Sequence, residues 1–299
     1  MRKAARARPG LEPARGSRAL AVPDWLARGL VAAITLLMLA YILLPVYWMA
    51  KSSLQSSFEI RAVPPIWVPG DPTLRAYEDA GYLIPVWQYL WNSIVVSVSA
   101  AVIATLIALS AAYALARYRF PGATVILALI LIAQIIPPIT RVFPIYFLVQ
   151  GMGLLNTYLG VIIVYVGFSV PFAVLLLRGY FKSSAPRELE EAALIDGCSY
   201  LSAFWRVILP ISLPGIAAVG IFTFLNAWND FLWASLLLGQ GSMKTIQVGI
   251  GDFATEGGGV QYVNAFMAAC VLTTLPALAM FFVVQRWLVS GLTTGAVKA

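Results

Sequence analysis

The sequence predicts an all-α protein that crosses a bilayer about six times, a polytopic membrane helical bundle, and three observations carry that reading. Of 299 residues, 61% are hydrophobic and only 11% charged, where a soluble domain carries about a quarter, so too few charges exist to cover a water-facing surface. Uncharged runs of the length that crosses a hydrocarbon core of roughly 30 Å, about 20 residues, recur along the chain. These runs are apolar all round rather than striped, as expected of helices with no aqueous face, and none alternates as a barrel strand would.

In chain order, residues 1–29 form a basic tail rich in Ala, Pro and Gly. The apolar run that follows, 30–49, is too long for the central region of a signal peptide and is read as a retained first span. An external loop, 51–88, contains Pro64, Pro65, Pro69 and Pro72, which forbid one continuous helix. The second span is 91–115. The third, 123–139, should break near the outer face at Pro137 and Pro138, with an apolar continuation past Pro144 that lies along the interface or returns as a re-entrant turn. The remaining spans are 158–177, 209–232 and 263–284. Between the last two lies a second external loop, 239–262, whose glycines suit a flexible connector. Residues 30–290 then make up the membrane domain, and 291–299 a C-terminal tail.

Orientation follows from the basic residues. With both termini cytoplasmic, only Lys51, Arg61, Arg75, Arg141 and Lys244 of the 20 lysines and arginines fall outside, the asymmetry expected when basic loops stay in the cytosol. The same placement explains the formal charge of +7 without nucleic acid. No histidine is present, and Cys198 and Cys270 stand far apart, so neither a metal site nor a disulfide framework is predicted. An intramembrane enzyme lacks an evident nucleophile and base.

Two clusters stand out chemically. Residues 186–198 should form a short helix on the cytoplasmic side: serines before Pro186 suit a hydroxyl cap, Glu188 and Glu190 sit near the positive end of the dipole, and Gly197 is a stop. Leu189, Ala192, Ala193 and Ile195 give it a small apolar surface, while Glu188, Glu190, Glu191 and Asp196 are expected to meet basic groups of a partner. So acidic a helix does not suit an anionic lipid surface. The second cluster is Asn226, Trp228, Asn229 and Asp230 in the fifth span. Polar groups there either bond between helices or line a cavity, where amides and an aromatic face suit hydroxyl-rich ligands. Pro210, Pro214 and Gly215, at the start of that span, could bend it.

The order Glu191, Ala192, Ala193, three residues, Gly197, then Val207, Ile208, Leu209, Pro210 resembles the "EAA" loop of ABC importer permeases, with Val207 where isoleucine is usual. The run 226–230 and the end of the chain, Gln285, Arg286 and 291–298, are similar to the carbohydrate-uptake branch, in particular the six-span (G-type) permease of maltose-type importers. The likeness covers roughly residues 48–299. It implies a type I ABC importer permease fold in the inner membrane of a prokaryote, and a non-enzymatic subunit of an ATP-driven importer of an oligosaccharide or disaccharide. Implied partners are a second permease in a heterodimer, two ABC ATPase subunits and an extracytoplasmic solute-binding protein. ATP and Mg belong to the ATPase, and this chain has no cofactor of its own. By the same resemblance, Glu190, Glu191, Ala192, Ala193, Asp196, Gly197, Leu209 and Pro210 form the coupling element against the ATPase. Gly257, Gly258 and Gly259 would contact the binding protein, and Gly295, Val297 and Lys298 would add a tail contact to the ATPase. A permease for another cargo, such as glycerol 3-phosphate, is the nearest alternative. An ion-coupled carrier is disfavoured because no span hides a charge.

Overall fold

The computed structural model describes residues 23–239, 241–257 and 262–296, and among them every regular element is helical. The chain divides into two compact units between Trp48 and Met49. The first helix, α1 (Asp24–Leu54), begins six residues before the expected span and runs five past it. Beyond residue 49 its end is tied down rather than free: Lys51 Nζ donates to Gln55 Oε1 at 3.0 Å and to the Ile66 carbonyl at 2.7 Å. Gln55 donates to the same carbonyl, and Glu59 accepts from the Gly70 N–H. The proline-rich loop is therefore folded back on its own polar groups, and it leads into α2 (Arg75–Leu83), which buries Ala76 and Ala80.

The centre of the second unit is α3 (Val86–Arg117). Ser97, Ala100, Ala104, Ala108 and Ala112 on it are all fully or almost fully buried. Small side chains spaced by about one turn let neighbouring backbones approach closely, which replaces the hydrophobic driving force that lipid cannot supply between helices. The helices that use this face are α6 (Tyr158–Ser183) and α9 (Leu209–Asn229), with α12 (Val263–Ala296) packed on α9 and α2. On α9, Gly215 lies against the Tyr180 ring, where an added Cβ would stand 2.7 Å from Cγ.

Between α3 and α6 the expected third span is shorter than its apolar run. α4 (Ala123–Ile135) has 13 residues, about 20 Å of helix. The chain turns at Ile136 and Pro137, passes through a 3-10 turn (Pro138–Arg141) and resumes as α5 (Val142–Gly151), bent by 101° from α4. Among the described residues five helices are long and apolar enough to cross a membrane, and six if this bent pair is one broken span. The prolines explain the break: successive Pro137 and Pro138 supply no N–H and restrict the residue before them to extended backbone, and Ile136 has ψ 120°.

The segment 184–208 holds α7 (Arg187–Ile195) and α8 (Tyr200–Ala203), and a π-turn, Phe204–Ile208, joins α8 to α9 without a loop. After α9 come α10 (Leu232–Leu237), a 3-10 turn and α11 (Ile246–Asp252). Much of the region read as a flexible connector is thus packed. Ile246, Val248 and Gly249 are buried, the Ile246 N–H donates to Ser93 Oγ at 2.8 Å, and Asn92 Nδ2 donates to the Ser242 and Lys244 carbonyls. Gly249 is required by contact: a Cβ there would strike the Tyr89 ring. Lys244 and Asp252 pair at 2.6 Å across the turn. At the other end, α12 continues to Ala296 with no break where the tail was expected to begin.

Candidate functional site

The short acidic helix forms where the sequence places it, but its start is built differently. Pro186 occupies the cap position, with no side chain accepting from the first turn, and the Ser183 hydroxyl bonds back to Tyr180. Proline's fixed φ and the carboxylates near the dipole start the helix without the expected hydroxyl cap. The stop is as expected. Gly197 adopts φ +89°, its N–H donates to Leu194, and the Cys198 N–H returns to Ala193 at 3.0 Å, the bond pattern of a left-handed helix end.

The two adjacent glutamates separate. Glu191 is outward, 60% exposed, with Arg187 at 3.2 Å one turn earlier. Glu190 turns inward, contrary to its expected exposure: its Oε2 lies 2.8 Å from Arg117 Nε, with the two side chains 7% and 6% exposed. This charge contact lacks hydrogen-bond alignment, and the bonds around it are supplied by others. Tyr113 O–H donates to Glu190 Oε1 at 2.7 Å, and Arg117 donates to the Phe181 and Ala185 carbonyls. Tyr113 also meets Phe181 and Phe204 edge-on. The cause is geometric, since consecutive helical residues point about 100° apart. Of the alanine pair, Ala193 is buried and Ala192 exposed, beside Ile195 at 86% exposure and exposed Asp196 and Gly197. Leu209 and Pro210 do not join this surface as one patch: they open α9 beyond the π-turn, Leu209 half-buried and Pro210 exposed.

The polar run on α9 divides in the same way. Asn226 and Asp230, one turn apart, line a cavity of about 340 Å³ with Gln134, Arg141, Tyr165 and Ser169 and aromatic walls. Trp228 does not line it. It is 2% exposed and stacks on Phe224 with ring centroids 5.5 Å apart, so it is a core residue, on the opposite side of the helix from Asn226. Asn229 is exposed and is not among the lining residues. Asp230 is highly structured: Oδ1 accepts from Tyr165 O–H at 2.8 Å and from the Trp233 and Ala234 N–H groups at 2.9 and 3.1 Å. Asn226 spends its amide N–H on the Phe222 carbonyl. Arg141, which the sequence placed only as an outside charge, lies over the Phe168 ring at 4.5 Å. A single arginine between prolines inside an apolar run was the available signal for it.

Of the remaining expected site residues, Gly257 ends the π-turn after α11 and Gly295 lies in α12, whereas Gly258, Gly259, Val297 and Lys298 lie outside the described residues. Among the described residues no group of acidic or thiol side chains could hold a metal ion.

Residues 102–294 match the family model described as "Binding-protein-dependent transport system inner membrane component". The chain belongs to this family. The permease is 37% identical over 254 residues, 85% of its length and 91% of the relative's, to the diacetylchitobiose uptake system permease protein DasC of Streptomyces coelicolor. It is 32% identical to the trehalose transport system permease protein SugB of Mycobacterium tuberculosis, covering 89% of this chain and 96% of that one. A solved bacterial ABC transporter involved in import of the acidic polysaccharide alginate shares its fold, with TM-score 0.74 and 23% identity over 89% of this chain and 98% of that one. The permease is accordingly a non-enzymatic inner-membrane subunit without a cofactor of its own. Permeases of this kind work with a partner ATPase that holds ATP and Mg, a binding protein and a second permease.

Proposed function

We propose that this permease is one half of a heterodimeric translocation path in an ATP-driven, binding-protein-dependent importer of oligosaccharides or disaccharides, with two ATPase subunits below it. In this reading both termini are cytosolic and α7 is the coupling helix, presenting Glu191, Ala192, Ile195 and Asp196 to a cleft of the ATPase. The observation that carries it is the construction of α7: a nine-residue helix with one face exposed and the opposite face anchored by a buried ion pair to the central helix. A helix so held can deliver a push instead of swivelling. The sugar cargo is supported by the relatives' substrates and by a cavity that combines aromatic walls with unspent polar groups. The segment after α11 is the contact to the binding protein, and the chain end beyond Gly295 a second contact to the ATPase.

The test is uptake by the reconstituted complex, with its binding protein, of a panel holding diacetylchitobiose, trehalose, maltose and an anionic uronic-acid disaccharide. Uptake of at least one sugar should require ATP and ignore ionophores. Uptake of none of them, or uptake driven by an ion gradient without ATP, overturns the proposal. Crosslinking of Ile195→Cys to the ATPase tests the docking surface separately.

A further inference from the structure

The α4–α5 break brings a cation into the same cavity as the Asp230 carboxylate, and neither group spends all of its hydrogen-bonding capacity within the fold. Among the described residues the Arg141 guanidinium makes no hydrogen bond or ion pair; it lies over the Phe168 ring, and its Nε is buried without a partner. On Asp230 all three donors converge on Oδ1, and Oδ2 accepts nothing. Among the described residues the Asn226 carbonyl oxygen and the Ser169 hydroxyl are likewise unspent, and Phe168 and Trp233, 5.1 Å apart, form part of the wall. Unused donors and acceptors in a partly buried site carry a desolvation cost that a matching ligand relieves. At about 340 Å³ the space is at the small end of ligand sites, enough for one end of an oligosaccharide.

We infer that this cavity is a subsite for an uncharged sugar ring, in which Arg141 donates to, and Asp230 Oδ2 accepts from, the ring hydroxyls. The charge balance selects the class. Arg141 and Asp230 together sum to zero, so a neutral polyol leaves the site neutral, whereas an anionic sugar would leave one uncompensated negative charge in a poorly solvated place. The aromatic walls meet the apolar C–H groups of the ring, and the polar groups its hydroxyls. The inference rests on the sugar-importer reading and adds that this subunit, and not its partner alone, touches and selects the cargo.

The experiment measures ATP-dependent uptake by the reconstituted wild-type complex and two variants, Arg141→Gln and Asp230→Asn, using the panel above. Arg141 has no hydrogen bond within the fold to lose, and Asn at 230 retains an acceptor for the Tyr165 hydroxyl, so two independent variants probe one site. The expected result is that the wild-type complex prefers a neutral sugar and that each variant raises the apparent KM for it about tenfold or more, the loss of a hydrogen bond to a charged group, while the affinity of the separate binding protein is the same. An unchanged KM in the assembled variants overturns the subsite. Preference of the wild-type complex for the uronic-acid disaccharide overturns the charge argument while leaving the sugar importer intact. Absence of any sugar uptake overturns the importer reading itself.

Discussion

Removing the Glu190 carboxylate should release α7 from α3. In Glu190→Ala the Arg117 guanidinium keeps its two carbonyl acceptors, Phe181 and Ala185, but loses its counter-charge at a position where both side chains are less than a tenth exposed. Breaking a buried pair by deleting one partner costs about 3–5 kcal/mol. Taking about 3 kcal/mol, at roughly 1.36 per tenfold, the opening equilibrium of α7 rises about 150-fold. Tyr113 loses an acceptor as well, so this is the lower end. The assay is amide hydrogen exchange of the peptide covering 187–197 in the nanodisc-embedded complex, where exchange reports local opening. Glu191→Ala is the control, since its partner Arg187 is 67% exposed and such a surface pair is worth about 0.3–0.5 kcal/mol, a factor of about two. Acceleration below about fivefold in Glu190→Ala, or equal acceleration in both variants, would refute the view that the buried pair anchors the helix.

Other consequences can be checked on purified protein. Gly197→Val forces a β-branched residue to φ +89°, at a cost of roughly 1–2 kcal/mol, and should reduce the ATPase recovered with the permease while membrane insertion is kept. Trp228→Ala should cost about 3–5 kcal/mol as a core truncation, seen as a large drop in thermal midpoint, whereas Asn229→Leu at an exposed position should shift the midpoint within about 0.5 kcal/mol. Asp252→Asn removes a partly exposed pair with Lys244 and should loosen α11 by under about 1 kcal/mol, measured as faster exchange at low salt and a smaller difference from wild type at high salt.

The spans were legible because bilayer thickness dictates their length and composition, and a single chain carries that information locally. What escaped was set by partners distant in sequence. Nothing near Glu190 tells it from Glu191; the difference is Arg117, on another helix, which fixes the rotation of α7. The run 226–230 was read as one polar group, yet helical spacing already divides it: Asn226 and Asp230, four apart, share a face, and Trp228 between them cannot. The folded character of 241–257 was hidden because its glycines, which look like flexibility, answer close contacts such as the Tyr89 ring against Gly249. Lys51 read as a loop charge because its acceptors, Gln55 and the Ile66 carbonyl, exist only once the proline-rich segment doubles back.

The π-turn from Phe204 to Ile208 makes α8, the turn and α9 one uninterrupted rod, joined to the short acidic helix only through the turn at residues 196–199. With Arg117 gripping the other side, α7 is held between α3 and that rod, and α3 and α9 pack on each other. The 101° elbow after α4, where successive prolines interrupt the backbone ladder, lies outside that rod and sets Arg141 at the cavity.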